Sequence, residues 1–335
     1  MERGPVATGV GSMPGENIVE ATRIVLGELP DLPHLPELPD RGPAAAMTGR
    51  AVAMIGELGF DLQPAGWRLT DAPGLDQGRA RSLLAQDLDT LQELTQGYAG
   101  PLKIQVAGPW TLAATVEKSR GDRVLADLGA RRELAQALAL GVAEHVRDVG
   151  RRVPGATVLV QVDEPVLPAV LAGQVPTASG FHRHRSVDGQ GAAEALEWVF
   201  AACGDEPVAH CCAADVPIGL LRQAGARGLS VDSANLVISA YDELGRLLDH
   251  GGRLFLGVVP STARPPERQS PTAEQVERSV ADGVLRVLDM VGFGPDELAG
   301  RLVLTPACGL AGASPEYSRE ALTLVRNSAS LLGHS

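Results

Sequence analysis

The chain is 335 residues long, carries a formal net charge of −12, and is 44% hydrophobic but only 3% aromatic. That charge argues against a nucleic-acid surface, which needs a basic patch, and no apolar run reaches the length of a membrane span. Four cysteines in so long a chain do not make a disulfide framework; they fit a reducing compartment, and with no signal-peptide core at the N-terminus the expectation is a cytoplasmic protein.

Apolar, β-branched runs alternate with amphipathic helical stretches along nearly the whole chain, the pattern of an α/β fold. The first strand is expected at Val6–Val10, ending in Gly11-Ser12-Met13-Pro14, with a short helix near Asn17–Gly27. Leu29–Gly42, rich in proline and leucine, reads as a long loop over the surface or over the mouth of a barrel. A helix over Ala44–Leu58 precedes a weak second strand near Asp61–Gly66, and Arg79–Gln96 has leucines at helical spacing. Strand Leu102–Val106 ends in the turn Ala107-Gly108-Pro109-Trp110. Helix Arg131–Val149 leads to strand Thr157–Val162, which ends in Asp163-Glu164-Pro165. Helix Gly191–Ala202 feeds the extended run Val208-Ala209-His210-Cys211-Cys212. Three further strands, Gly228–Val231, Leu254–Val259 and Leu302–Leu304, alternate with helices at Tyr241–His250, Ala273–Val291 and Tyr317–Leu332. About eight strand–helix units predict a single-domain TIM (β/α)8 barrel. A doubly wound open sheet is the competing architecture.

In such a barrel the functional groups come from the C-terminal ends of several strands. Here those ends carry Ser12, Asp163, Glu164, His210, Cys212, Asp232 and Cys308. His210 and Cys212 share one face of their strand while Cys211 points to the other. Imidazole, two thiolates and a carboxylate suit Zn²⁺, so His210, Cys212, Asp232 and Cys308 are the candidate metal ligands. Each also has a plainer role: a buried thiol packs as a small hydrophobe, and Asp232 or Asp163-Glu164 would suit a helix N-terminus.

Several of these segments resemble the catalytic barrel of cobalamin-independent methionine synthase. They are Thr8-Gly9-Val10-Gly11-Ser12-Met13-Pro14, Gly108-Pro109-Trp110-Thr111 and Val160-Gln161-Val162-Asp163-Glu164-Pro165, with the His-x-Cys of His210–Cys212 and Cys308-Gly309-Leu310. The likeness runs in order from near residue 6 to near residue 315 and is to the single-domain, archaeal-type members. It implies a methyltransferase in which zinc binds the thiol of homocysteine and the thiolate takes a methyl group, giving methionine. By the same likeness His210, Cys212 and Cys308 are metal ligands, Asp163 is catalytic, and Ser12, Asp163 and Glu164 are substrate-binding. A carboxylate at Asp163 facing a substrate ammonium is physically sensible.

The sequence departs from the family in ways that bear on the donor. The third family ligand is glutamate where this chain has Asp232, and Gly257-Val258-Val259-Pro260-Ser261-Thr262 lacks the family's proton-donating histidine. Gly66-Trp67 runs into Arg68-Leu69-Thr70-Asp71 instead of the family's Ser-Arg-Cys, the family tryptophan falls at Thr115, and a second glutamate expected near Pro43–Ala45 is missing. The methyl donor is therefore left open between methyltetrahydrofolate and a methylated corrinoid protein. Two rival readings remain: a decarboxylase-like barrel without metal, and a non-catalytic barrel that binds zinc or a thiol.

Overall fold

The computed structural model describes residues 4–263 and 271–333. Its strands are β1 (Val6–Ala7), β2 (Gly59–Gln63), β3 (Gly66–Thr70), β4 (Gly100–Ala107), β5 (Ala156–Asp163), β6 (Val208–Cys211), β7 (Gly228–Asp232), β8 (Arg253–Val259) and β9 (Leu302–Pro306). The helices are α1 (Ile18–Glu28), α2 (Met47–Met54), α3 (Leu75–Leu94), α4 (Pro109–Thr115), α5 (Leu128–Arg152), α6 (Leu167–Leu171), α7 (Gly189–Ala202), α8 (Ile218–Gln223), α9 (Ile238–Asp249), α10 (Ala273–Val291) and α11 (Pro315–Leu332). None of them is long and apolar enough to cross a membrane among the described residues.

Seven strands form one sheet in the order β1-β9-β8-β7-β6-β5-β4, and every pairing in it is parallel. Period-two alternation explains how each strand serves both faces. On β4, Leu102, Ile104 and Val106 pack in the large outer cluster with the helices, whereas Lys103 and Gln105 face the other way. The inner face carries a smaller cluster of Leu32, Leu159, Val208, Phe255 and Val303. Those residues come from β5, β6, β8, β9 and the segment before α2, so the sheet curls until strands far apart in its order share one core.

The second strand is where expectation and structure part. Asp61–Gly66 does not enter the parallel sheet; β2 and β3 pair with each other as an antiparallel hairpin. Its place between β1 and β4 is taken by the proline-rich stretch expected as a long loop over the surface or over the barrel mouth. Residues 32–38 are buried, and they bridge both sheet edges in parallel sense, Ser12 with Glu37 and His34 with Lys103. The Leu35 amide donates to Lys103 O at 2.9 Å, Lys103 N donates to Pro33 O at 2.9 Å, and Glu37 N donates to Gly11 O at 3.1 Å. The segment repeats as Leu-Pro-X from Leu29 to Asp40. A proline has no N–H to give a ladder, so only isolated bridges form and the alternation expected of a strand is absent.

Candidate functional site

At the C-terminal ends of the strands lies a pocket of about 210 Å³. Its walls include Ser12, Glu37, Asp163, His210, Cys212 and Cys308, with apolar surface from Met47, Pro39 and Ala45. Three ligand atoms, one each from His210, Cys212 and Cys308, lie within 4.8 Å of one another. His210 Nδ1 is 2.9 Å from Ser230 Oγ, which fixes the ring and leaves Nε2 as its free nitrogen. The Cys212 and Cys308 sulfurs are 3.1 Å apart. That hydrogen bond, with His210 beside it, holds Cys308 down to about 4, and it pushes the Cys212 thiol up. A thiolate is therefore already favoured at one of the two positions.

Cys211 is buried on the opposite face of β6, and burial raises its thiol to about 12. Asp232 stands outside the three-residue group. Its Oδ1 accepts from Ala234 N at 2.9 Å and its Oδ2 from Asn235 Nδ2 at 3.0 Å, so the carboxylate caps the short turn after β7. The capping role foreseen as the plainer alternative is the one the side chain occupies.

Asp163 and Glu164 are neighbours with opposite destinations. Asp163 faces the pocket, and burial raises its carboxyl to about 7, against the nearby His210 and a hydrogen bond from Gln161. Glu164 turns away: Oε1 accepts from Trp110 N at 2.8 Å, and Oε2 accepts from Thr111 N at 2.8 Å and Thr111 Oγ1 at 2.7 Å. It caps the N-terminus of α4, where a carboxylate meets unpaired amides and the positive end of the helix dipole. Gly108 makes this possible, because a Cβ there would sit 2.4 Å from Glu164 Cδ. Glu164, expected as a substrate contact, does not line this pocket, because period two sends consecutive residues to opposite faces.

Glu37 is the pocket residue that sequence reasoning missed. It pairs with Arg50 Nε at 3.1 Å, and Arg50 Nη1 reaches Asp87 Oδ2 at 2.8 Å. Arg41 closes the network with a two-pronged contact to Asp87, both bonds at 2.7 Å. All four side chains are buried or nearly so. An acid recurring at the third place of an apolar Leu-Pro-X triplet was the available signal. Ser12, the bridge partner of Glu37, lies so close to the Cys308 turn that a Cβ on Gly309 would come 2.0 Å from its Oγ.

Residues 101–331 match the sequence profile of the cobalamin-independent synthase catalytic domain. The chain belongs to that family. Its members are methyltransferases of the methionine synthase type, and their independence of cobalamin gives no support to the corrinoid protein that the sequence had left open as a donor. Ser12 and Glu37, which line the pocket, and Arg50, which pairs with Glu37, lie outside the matched stretch.

Among solved structures, the fold resembles a B12-independent methionine synthase from Shewanella sp. W3-18-1 in complex with selenomethionine. The two share 13% identity, cover 98% of each other's length and superpose with a TM-score of 0.61. A protein from Burkholderia cenocepacia J2315 described as a candidate lyase/mutase aligns over 92% of this chain and 78% of its own, at 12% identity and a TM-score of 0.35. No curated protein matches the chain.

Proposed function

We propose that this protein is a zinc-dependent methyltransferase that moves a methyl group from methyltetrahydrofolate to the thiol of homocysteine. The observation that carries the reading is the joint lining of one pocket by His210, Cys212 and Cys308 together with Ser12, Glu37 and Asp163. One imidazole nitrogen and two sulfurs are a donor set that fits Zn²⁺, and three protein ligands with a fourth position left over is the pattern of catalytic zinc sites. When bound, zinc supplies Lewis acidity that keeps a coordinated thiol deprotonated at neutral pH. Asp232, held in its capping bonds, is not counted among the ligands.

The rest of the work falls to the chain's own side chains. Asp163 and Glu37 receive the substrate ammonium through charge-assisted hydrogen bonds. Ser12 donates its hydroxyl to the substrate carboxylate. Met47, Pro39 and Ala45 line the pocket beside the methylene chain and exclude water from it. Holding the ammonium and carboxylate at one end fixes where the sulfur lies, and that orientation lowers the entropic part of the barrier. In this reading the described chain is one catalytic domain, an eight-stranded barrel whose second position is filled by residues 33–37. A metal-free decarboxylase would have no use for paired thiols at the strand ends.

The test is metal analysis joined to turnover. The purified protein should carry stoichiometric zinc and form methionine from homocysteine and methyltetrahydrofolate. Cys212→Ala and Cys308→Ala should strip the metal and abolish transfer, while Cys211→Ala keeps both. Absence of metal and of turnover in the unaltered protein would overturn the proposal. Metal present and turnover absent would favour a barrel that binds thiols without catalysis.

A further inference from the structure

We propose that Lys103, sealed inside the sheet beneath the pocket, is a positioning residue that acts through Gln161 to set which oxygen Asp163 offers to a substrate ammonium. The inference rests on the functional reading above, in which Asp163 receives that ammonium.

Lys103 lies on β4 and is 0% exposed. An ammonium has three protons and accepts nothing. All three are committed, to Val10 O at 2.8 Å, Gln161 Oε1 at 2.9 Å and Gln105 Oε1 at 3.1 Å. Each glutamine amide is thereby forced to keep its oxygen inward and its NH₂ outward. Gln105 Nε2 donates to Leu35 O at 2.5 Å. Gln161 Nε2 donates to Val10 O at 2.9 Å and to Asp163 Oδ1 at 2.7 Å. A flipped Gln161 amide would point NH₂ at the ammonium and a carbonyl at both Val10 O and the Asp163 carboxylate. Three good contacts would become three repulsive ones, so one orientation is imposed.

The consequence reaches the pocket. Asp163 Oδ1 is tied to Gln161, which restricts rotation of the carboxylate and leaves Oδ2 as the oxygen to offer a ligand in the pocket that Asp163 lines. The Gln161 bond also favours the ionised form of Asp163, which is the form an ammonium needs. Burial draws Lys103 down to about 8, opposed by the facing Asp163 and Glu37, so at neutral pH it remains protonated and the relay holds. Neutral Lys103 would release the constraint on both amides.

Isothermal titration calorimetry on the full-length, zinc-loaded protein tests this with two thiols, homocysteine and its desamino analogue 4-sulfanylbutanoic acid. The unaltered protein should prefer homocysteine. Lys103→Met and Gln161→Met should each weaken homocysteine by about 10- to 100-fold, the range for a hydrogen bond to a charged group. Their affinity for the desamino thiol should stay within about threefold, since that ligand makes no such bond. The double variant should be no worse than either single one, because both act through the same bond. If Lys103→Met does not fold, Gln161→Met decides alone. Equal weakening of both thiols, or an undiminished preference in Gln161→Met, overturns the positioning role while leaving the functional reading intact. An unaltered protein that binds the two thiols equally overturns the functional reading, and the positioning role with it.

Discussion

Replacing Lys103 with methionine should change how the protein's stability responds to alkali, and the sign follows from the fold. Burial lowers Lys103 from 10.5 to about 8. Between those two values the unfolded chain binds a proton that the folded chain has released, so stability rises with pH across that window. Below it both states are charged, and the full cost of burying the ammonium is present. The gap between 10.5 and 8 corresponds to about 3 kcal/mol at about 1.36 kcal/mol per pH unit. Asp163, Glu37 and His34 face the lysine, and His34 is held neutral, its ring well below 6.5, by burial and then by the lysine charge. Removing that charge raises Asp163 further, which costs the variant stability as pH rises and so reinforces the effect. The buried thiols of Cys203 and Cys211, raised to about 12, act in the opposite direction, but equally in both proteins. Urea unfolding at about pH 7 and about pH 10 should therefore move the difference between unaltered protein and Lys103→Met in favour of the unaltered protein by roughly 2–3 kcal/mol. A difference that stays constant, or moves toward the variant, would refute the assignment of a charged buried lysine.

Two further outcomes follow from the carboxylates. Glu164→Ala orphans three buried donors at the start of α4, each worth roughly 1–3 kcal/mol, so urea unfolding should register a loss of at least about 3 kcal/mol with thiol affinity unchanged in the folded fraction. Weakened thiol binding at full stability would return Glu164 to the pocket. Arg50→Met removes the cation shared by Glu37 and Asp87; a broken buried pair typically costs about 3–5 kcal/mol. Because Arg41 still holds Asp87, the binding defect should fall on Glu37 and appear as weaker homocysteine but not weaker desamino thiol. Equal losses for both ligands would mean that the network only supports the fold.

Much of this architecture can be read from residues alone because seven strands are apolar, β-branched and bounded by turn residues. His210, Cys212 and Cys308 follow from the same logic, since period two and strand ends decide which side chains meet. The second strand escaped because hydrogen-bond donors, rather than hydrophobicity, are what Pro30, Pro33, Pro36 and Pro39 remove. Asp61–Gly66 looked like one strand, but it spans the end of β2 and the Pro64-Ala65 turn into β3, so the chain reverses there and pairs within a hairpin. The capping bonds of Glu164 and Asp232 were not legible in the sequence for a shared reason. Their partners are local or distant backbone amides, Trp110 and Thr111 in one case and Ala234 in the other, and sequence spacing says nothing of which amides lie free. Lys103 is one of two lysines in the chain, with no motif around it; its proposed role depends on two amides and a carbonyl brought together by three different segments.

The Leu-Pro-X seam between β1 and β4 has a bearing on how such sites can change. A regular strand is committed to its neighbours at every residue, so altering one pocket position disturbs a ladder. Here the prolines restrict the chain before it folds, which reduces the entropy lost on ordering it. Isolated bridges, Glu37 to Gly11 and Met13 on one side and Leu35 and Pro33 to Lys103 on the other, stand in for a continuous ladder. At Glu37 the backbone bonds to Gly11 and Met13 do not depend on the side chain, so it can be varied together with its partner Arg50 while the leucines and prolines stay in place. On the proposed function, the ammonium end of the substrate would rest on a wall held by isolated bridges in place of a full ladder, which makes the seam the natural starting point for redirecting this scaffold toward other thiols.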